Sequence, residues 1–220
     1  MYQKPSQYDH IAVAFSRSHR KWNSTNRSAL YRAMRFPMEG KKVLDAGCGD
    51  GTDMLHFQQR GARVYGCDVS QELLQIARRK CPGARLEQCS FSNTPFRDFF
   101  FDAVYSKYAM QHDADIAAIY REVRRVLKPG GIFVFLVAHP FRQFMEKRGT
   151  NYFRQEIVHS RIFGKTLVVD EPSHMLAEYF SNYFLHYFSL LSFREQVDPG
   201  TEKIGGCTYP GFFIVKAAKK

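Results

Sequence analysis

Apolar positions along this chain switch repeatedly between two spacings. Short unbroken or alternating runs, "KKVLDAG" (41–47), "ARVYGCD" (62–68), "ARLEQCS" (84–90) and "FDAVYS" (101–106), read as strands bounded by turn residues. Between them lie stretches with apolar residues three or four positions apart: Asp53 to about Arg60, "SQELLQIARRK" (70–80), and 113–128 with Ile116, Ile119, Tyr120, Val123 and Leu127 on one face. Strand and helix in alternation predict a parallel, doubly wound α/β sheet of Rossmann-like type. "KPGG" (128–131) is expected to stop the last of these helices, and the wholly apolar run in "GIFVFLVAHP" (131–140) suits a strand covered on both faces.

Outside that core the periodicity weakens. Residues 1–40 read as a helical N-terminal segment, and 139–172, aromatic and without a clean period, as an irregular insertion after the fifth strand. Insertions of this length in compact domains are usually lids or binding loops. Ser173 is placed to cap a helix whose Tyr179, Tyr183 and Tyr187, with Phe180, Phe184 and Phe188, repeat every four residues. That aromatic ladder suits packing against the sheet, and its exposed edge suits an apolar ligand wall. "SFREQVD" (192–198) and "FFIVKAA" (212–218) are two final strands joined by a loop with "GG" and "YPG". The expected architecture is a single domain, 1–220: a mostly parallel seven-stranded sheet with an antiparallel last strand.

Composition narrows the class. With 220 residues and 45% hydrophobic content the chain is globular, and its longest strand-like apolar run, "IFVFLVA" (132–138), is far shorter than the ~20 residues a membrane helix takes. "MYQKPSQYDH" has no apolar signal core, so a cytoplasmic protein is expected. Five cysteines (48, 67, 81, 89, 207) form no C-x-x-C pair and no metal-ligand spacing, which predicts reduced thiols and no metal. The net charge of +11 is uneven: residues 1–42 carry nine Lys/Arg against Asp9 and Glu39, a surplus of seven. Such a segment fits nucleic acid, a membrane surface, an anionic small molecule or simply solvated helix faces.

The chemistry is concentrated in "KVLDAGCGDG" (42–51), where a strand breaks into a glycine turn that leads into a helix. Glycines allow close approach of a ligand, and the free N–H groups of a helix start attract electron-rich groups. A dinucleotide fingerprint needs glycine where Thr52 stands, and no Lys-Ser/Thr pair follows for a P-loop. Asp68 ends the next strand, 21 residues after Gly47, where a carboxylate can accept from both hydroxyls of a ribose. Adenosine without a pyrophosphate fits these residues.

"VLDAGCGDG", "VYGCDVSQELL", "CSFSNTPF", "FDAVYSKYAMQH" and "VLKPGGIFVF", in that order, resemble the class I S-adenosylmethionine-dependent methyltransferases over roughly 8–217. The small-molecule group related to ubiquinone and menaquinone C-methyltransferases is the most similar. The resemblance implies S-adenosylmethionine as cofactor. Gly47, Cys48 and Gly49 would line its methionine and ribose, and Asp45 would orient that loop and the ammonium through water. Asp68 would hold the ribose, Val69 and Leu73 would pack on adenine, and Ser90 and Phe91 would flank the adenine edge. The Ser106 carbonyl would face the ammonium. Ser90 departs from the acidic residue usual there, although a hydroxyl can still accept the bond.

A sulfonium methyl is already activated, so the protein's main task is to hold a nucleophile about 3–3.5 Å away and in line. Where the acceptor must lose a proton, histidine titrates in the useful range. His139, after the fifth strand, is the candidate catalytic base, with His112 after the fourth strand beside it; either could instead shape the chain. Lys107 and Tyr108 are placed to face the acceptor. The acceptor is expected to be a small aromatic or lipophilic molecule. The alternative is tRNA or another nucleic acid met by the basic N-terminal segment, although "SKYA" stands where an amino-group methylase would carry an "NPPY"-type tetrapeptide.

Overall fold

The computed structural model describes residues 6–21, 25–163, 166–197 and 208–220. Cys207, the "GG" of the last loop and Lys4 of the basic segment lie outside the described residues. Helices α1 (Ala12–Lys21) and α2 (Thr25–Ala33) precede the first strand. There follow β1 (Lys42–Ala46), α3 (Thr52–Gln58), β2 (Arg63–Asp68), α4 (Gln71–Lys80), β3 (Arg85–Gln88) and β4 (Phe101–Lys107). A 3-10 turn (Met110–His112), α5 (Ile116–Val126) and β5 (Leu127–Ala138) complete the alternating part.

The strands pair in the order β3-β2-β1-β4-β5, all parallel, and then β9 (Phe212–Lys219) and β8 (Phe188–Gln196) join antiparallel. The seven-stranded, doubly wound sheet with an antiparallel end is therefore present. Its order reverses between β2-β1 and β4, and ligands of open α/β sheets sit beyond the carboxyl ends of the strands at such a switch point.

Alternating strand residues divide the core between the two faces. Leu44, Val104, Phe133, Phe135 and Phe213 pack with Ile119, Tyr120 and Val123 of α5. Val43, Ala103, Tyr105, Val134 and Ile214 pack with Leu30 of α2, Met54 and Phe57 of α3 and Leu74 of α4. Local signals set the helix starts: Ser70 Oγ accepts from Leu73 N at 3.2 Å and Asp115 Oδ1 from Ala118 N at 3.0 Å.

Three expectations are corrected. "KPGG" does not separate helix from strand: α5 ends at Val126, and the motif lies inside β5 as an irregularity, where the pairing shifts between Phe101 and Ala103. The insertion contains regular elements, α6 (Pro140–Glu146) followed by the antiparallel pair β6 (Ile157–Ile162) and β7 (Leu167–Pro172). Ser173 caps no helix; its Oγ accepts from Glu156 N at 3.0 Å, and the aromatic ladder breaks into α7 (Leu176–Tyr179) and α8 (Asn182–Tyr187), the latter capped by Ser181. Tyr179, Phe184 and Phe188 are buried in the core, as packing against the sheet requires.

Candidate active site

The site begins where β1 runs out. Gly47 and Gly49 adopt φ of 77° and 51°, and a Cβ on Gly47 would lie 2.1 Å from the Ala109 side chain, so this turn admits only glycine at 47. Gly47 N and Cys48 N both donate to Cys67 O, at 2.8 and 2.9 Å, which ties the turn to the end of β2. Asp68, the next residue, accepts from Gly49 N at 2.8 Å through Oδ2 and from Ser70 N at 2.9 Å through Oδ1. Burial raises its pKa, while those two N–H groups act the other way. A carboxylate has about four acceptor positions, so two are left for a ligand.

These residues open onto a cavity of about 1060 Å³ at the carboxyl ends of β1, β2, β4 and β5. Gly47, Cys48, Gly49, Asp68, Val69, Leu73, Ser90 and Phe91 line it. Ser90 Oγ lies 2.8 Å from Ser92 Oγ. Asp45 and Ser106 are not in its wall; both are buried in the sheet behind it, where burial and the neighbouring Asp53 push the Asp45 carboxyl well up.

His139 is not in the wall either. Its Nδ1 accepts from Phe141 N at 3.0 Å at the start of α6, so Nε2 carries the hydrogen and donates to Glu195 Oε1 at 2.8 Å. With both nitrogens engaged, it caps α6 and fixes β8. Lys107, Tyr108 and His112 do line the cavity.

Residues 44–135 match the family model described as "Methyltransferase domain". That stretch is similar to methyltransferase domains. The chain is 36% identical over 108 residues to a demethylmenaquinone methyltransferase of Tropheryma whipplei, covering 47% of this chain and 44% of the relative. It is 32% identical over 130 residues to a malonyl-[acyl-carrier protein] O-methyltransferase of Hamiltonella defensa, covering 57% and 50%. The chain thus spans about half the length of the curated relatives it matches. The fold is similar to that of an S-adenosylmethionine-dependent methyltransferase from Mesorhizobium loti, with TM-score 0.72, 24% identity, and 87% and 96% of the two chains covered.

Two polar clusters at this cavity join Lys107 and His112, which the sequence pointed to, with partners that it did not. In the first, Asp50 accepts from Ser16 Oγ at 2.8 Å, pairs with Lys80 and lies 3.0 Å from His19 Nδ1. His19 Nε2 in turn lies 2.9 Å from Lys107 Nζ, and Lys107 pairs with Asp53, which also accepts from Tyr31 Oη at 2.5 Å. Burial pushes both carboxyls up, but their partners outweigh it: Asp50 is held far below the usual range by His19 and Lys80, and Asp53 falls to about 2 through Lys107 and His19. Burial and the Lys107 ammonium lower the His19 pKa; Nε2, 2.9 Å from Lys107 Nζ, is placed to accept and Nδ1, 3.0 Å from Asp50 Oδ1, to donate.

In the second cluster, Tyr8 Oη lies 3.0 Å from His112 Nε2, and Glu171 Oε2 faces the same nitrogen at 3.8 Å. Glu171 is buried, and its Oε1 accepts from Ser160 Oγ at 2.9 Å and Gln143 Nε2 at 3.0 Å. Of the members of the two clusters, Lys107 and His112 were legible by their place after β4; their partners arrive from distant segments.

Proposed function

We propose that this protein transfers a methyl group from S-adenosylmethionine to a small aromatic or lipophilic acceptor. The observation that carries the reading is the glycine turn braced onto Asp68 at the mouth of a cavity large enough for a cofactor and a second molecule. The turn supplies close backbone approach, the Asp68 carboxylate two acceptor positions for ribose hydroxyls, and Val69 and Leu73 an apolar surface for adenine. When bound, the cofactor supplies the activated methyl group. The chain's residues orient it and keep water out. The relatives named for demethylmenaquinone and for malonyl-[acyl-carrier protein] support a non-nucleic-acid acceptor, and the hairpin β6–β7 adds a wall with Ile162, Phe163 and Val169 to that side of the cavity.

Calorimetry tests the cofactor directly. S-adenosylhomocysteine is expected to bind in the micromolar range and NAD not at all, because Thr52 replaces the third glycine of a pyrophosphate turn. Asp68→Ala is expected to weaken binding by about 1.5–3 kcal/mol, the scale of a hydrogen bond to a charged group. Tighter binding of NAD, or a variant that binds like the parent, overturns the assignment. Labelled cofactor incubated with small-molecule fractions and with total RNA then identifies the acceptor class.

A further inference from the structure

The cavity wall brings three polar side chains together from three distant segments, Tyr8 before α1, His112 after β4 and Glu171 in β7, with Tyr8 Oη and Glu171 Oε2 both facing His112 Nε2. A hydroxyl within hydrogen-bond distance of an imidazole, with a buried carboxylate close to that ring, is an arrangement that can move a proton and hold the resulting charge. We infer that Tyr8, His112 and Glu171 form a proton relay that removes the proton of a weakly acidic aromatic hydroxyl on the acceptor. The inference rests on the methyltransferase reading above and names the acceptor class of that same site.

Tyr8 Oη, 3.0 Å from Nε2, is the member of the group with a hydroxyl to offer to the cavity. Its burial, with the Glu171 and Asp68 carboxylates nearby, pushes the phenol well above the ordinary tyrosine range, so Tyr8 rests protonated and serves as a relay, not as a phenolate base. Behind it, Glu171 is fixed by Ser160 and Gln143 through one oxygen and turns the other toward His112. A buried carboxylate in this position stabilises an imidazolium when one forms. His112 Nδ1 is buried with no hydrogen-bond partner among the described residues, whichever tautomer is present. Leaving such an atom unsatisfied costs stability.

The step balances without a further reactant. The acceptor oxygen forms a bond to the methyl carbon with its own electron pair as the carbon–sulfur bond breaks and its pair returns to sulfur. The hydroxyl proton passes to Tyr8 Oη while the Tyr8 proton passes to His112 Nε2. The positive charge that leaves the sulfonium reappears on the imidazolium, against Glu171. Phe15, Phe91, Ile119, Ile162, Phe163 and Tyr209 give the cavity an apolar lining, which favours an aromatic carrier for that hydroxyl.

A set of phenols is the probe, from nitrophenols already ionised at the assay pH to phenols that are not, with S-adenosylmethionine as donor. For the un-ionised phenols, Tyr8→Phe and His112→Gln are each expected to lower kcat/KM by about 10²- to 10⁴-fold, the usual worth of positioned proton transfer. The loss should shrink steeply for the ionised ones, which have no proton to give. The double variant should lose no more than either single variant, because the residues act as one unit. Tyr8→Phe removes one oxygen and keeps the ring that packs on Phe15 and His112, so it remains a fair test should His112→Gln fold poorly. Equal losses across the set, or additive losses in the double variant, overturn the relay. If no phenol is methylated by a protein that binds S-adenosylhomocysteine, the acceptor class is wrong and the proposed function stands; absence of that binding removes both.

Discussion

The buried His19 illustrates how single residues fasten this site. Both its nitrogens are matched, Nδ1 to Asp50 and Nε2 to Lys107, so a second proton would put a donor against an ammonium. Its pKa lies below 6.5 in the folded protein through burial and Lys107. The unfolded chain therefore binds the proton more readily, and stability must fall as pH drops below 6.5 toward the folded value. His19→Gln is expected to flatten this arm of a stability–pH curve measured by urea unfolding. The slope that stays belongs to His56, whose pKa burial and Arg60 also lower. An unchanged arm would mean that His19 is not held neutral. Asp50 and Asp53 act at lower pH: depressed carboxylates stabilise above the unfolded value of 3.8, and for Asp53 that contribution is lost as pH falls through about 2.

Elements meet at the cavity through short polar straps rather than through extended packing. The segment before α1 crosses from α4 to the hairpin: Asp9 Oδ1 accepts from Ser70 Oγ at 2.6 Å and from Glu72 N at 3.2 Å. Gln7 Nε2 donates to Asp170 O and Gln7 Oε1 accepts from Asp170 N, both at 2.8 Å, as a strand would on the edge of β7. Elements held by a few exposed bonds open with low free energy, which suits a cover over a reactive cofactor. Gln7→Ala should speed amide exchange at Asp170 and the dissociation of S-adenosylhomocysteine, while exchange in β1 and β4 stays unchanged. Exchange at Asp170 equal to that of the parent would show that the strap does not secure the hairpin.

Across the whole molecule, the sheet provides a rigid platform and the cavity is completed by pieces from both ends of the chain. Among the described residues no helix is long and apolar enough to cross a membrane. The charge of +11 raises the question of a polyanionic acceptor, but several cationic side chains of the N-terminal half are committed inside the protein. Lys80 and Lys107 pair with Asp50 and Asp53, and Arg27 lies 3.6 Å from Asp53. For the small-molecule acceptor proposed above, binding is expected to change little across a salt series. A steep fall of log affinity with log salt, the mark of counterions released from phosphates, would favour an RNA acceptor instead.

What the sequence alone determined is local: the strand runs, the helix faces, and the glycine turn with Asp68 one βα unit further on. Those features depend on side-chain period and turn chemistry within a few tens of residues, so they are written in consecutive positions. The hairpin in 139–172 escaped that reading because its inward positions are Val158 and Ser160 on one strand and Val169 and Glu171 on the other. Polar residues on the buried face erase the apolar alternation by which a strand is recognised. His139, legible by its place after β5, is committed to α6 and β8 by partners that only the folded chain supplies. Tyr8 with His112, and His19 with Lys107, are 104 and 88 positions apart. Only tertiary packing decides such contacts, because a pair that distant leaves no period in the sequence and is fixed by how the N-terminal segment and the hairpin settle over the sheet.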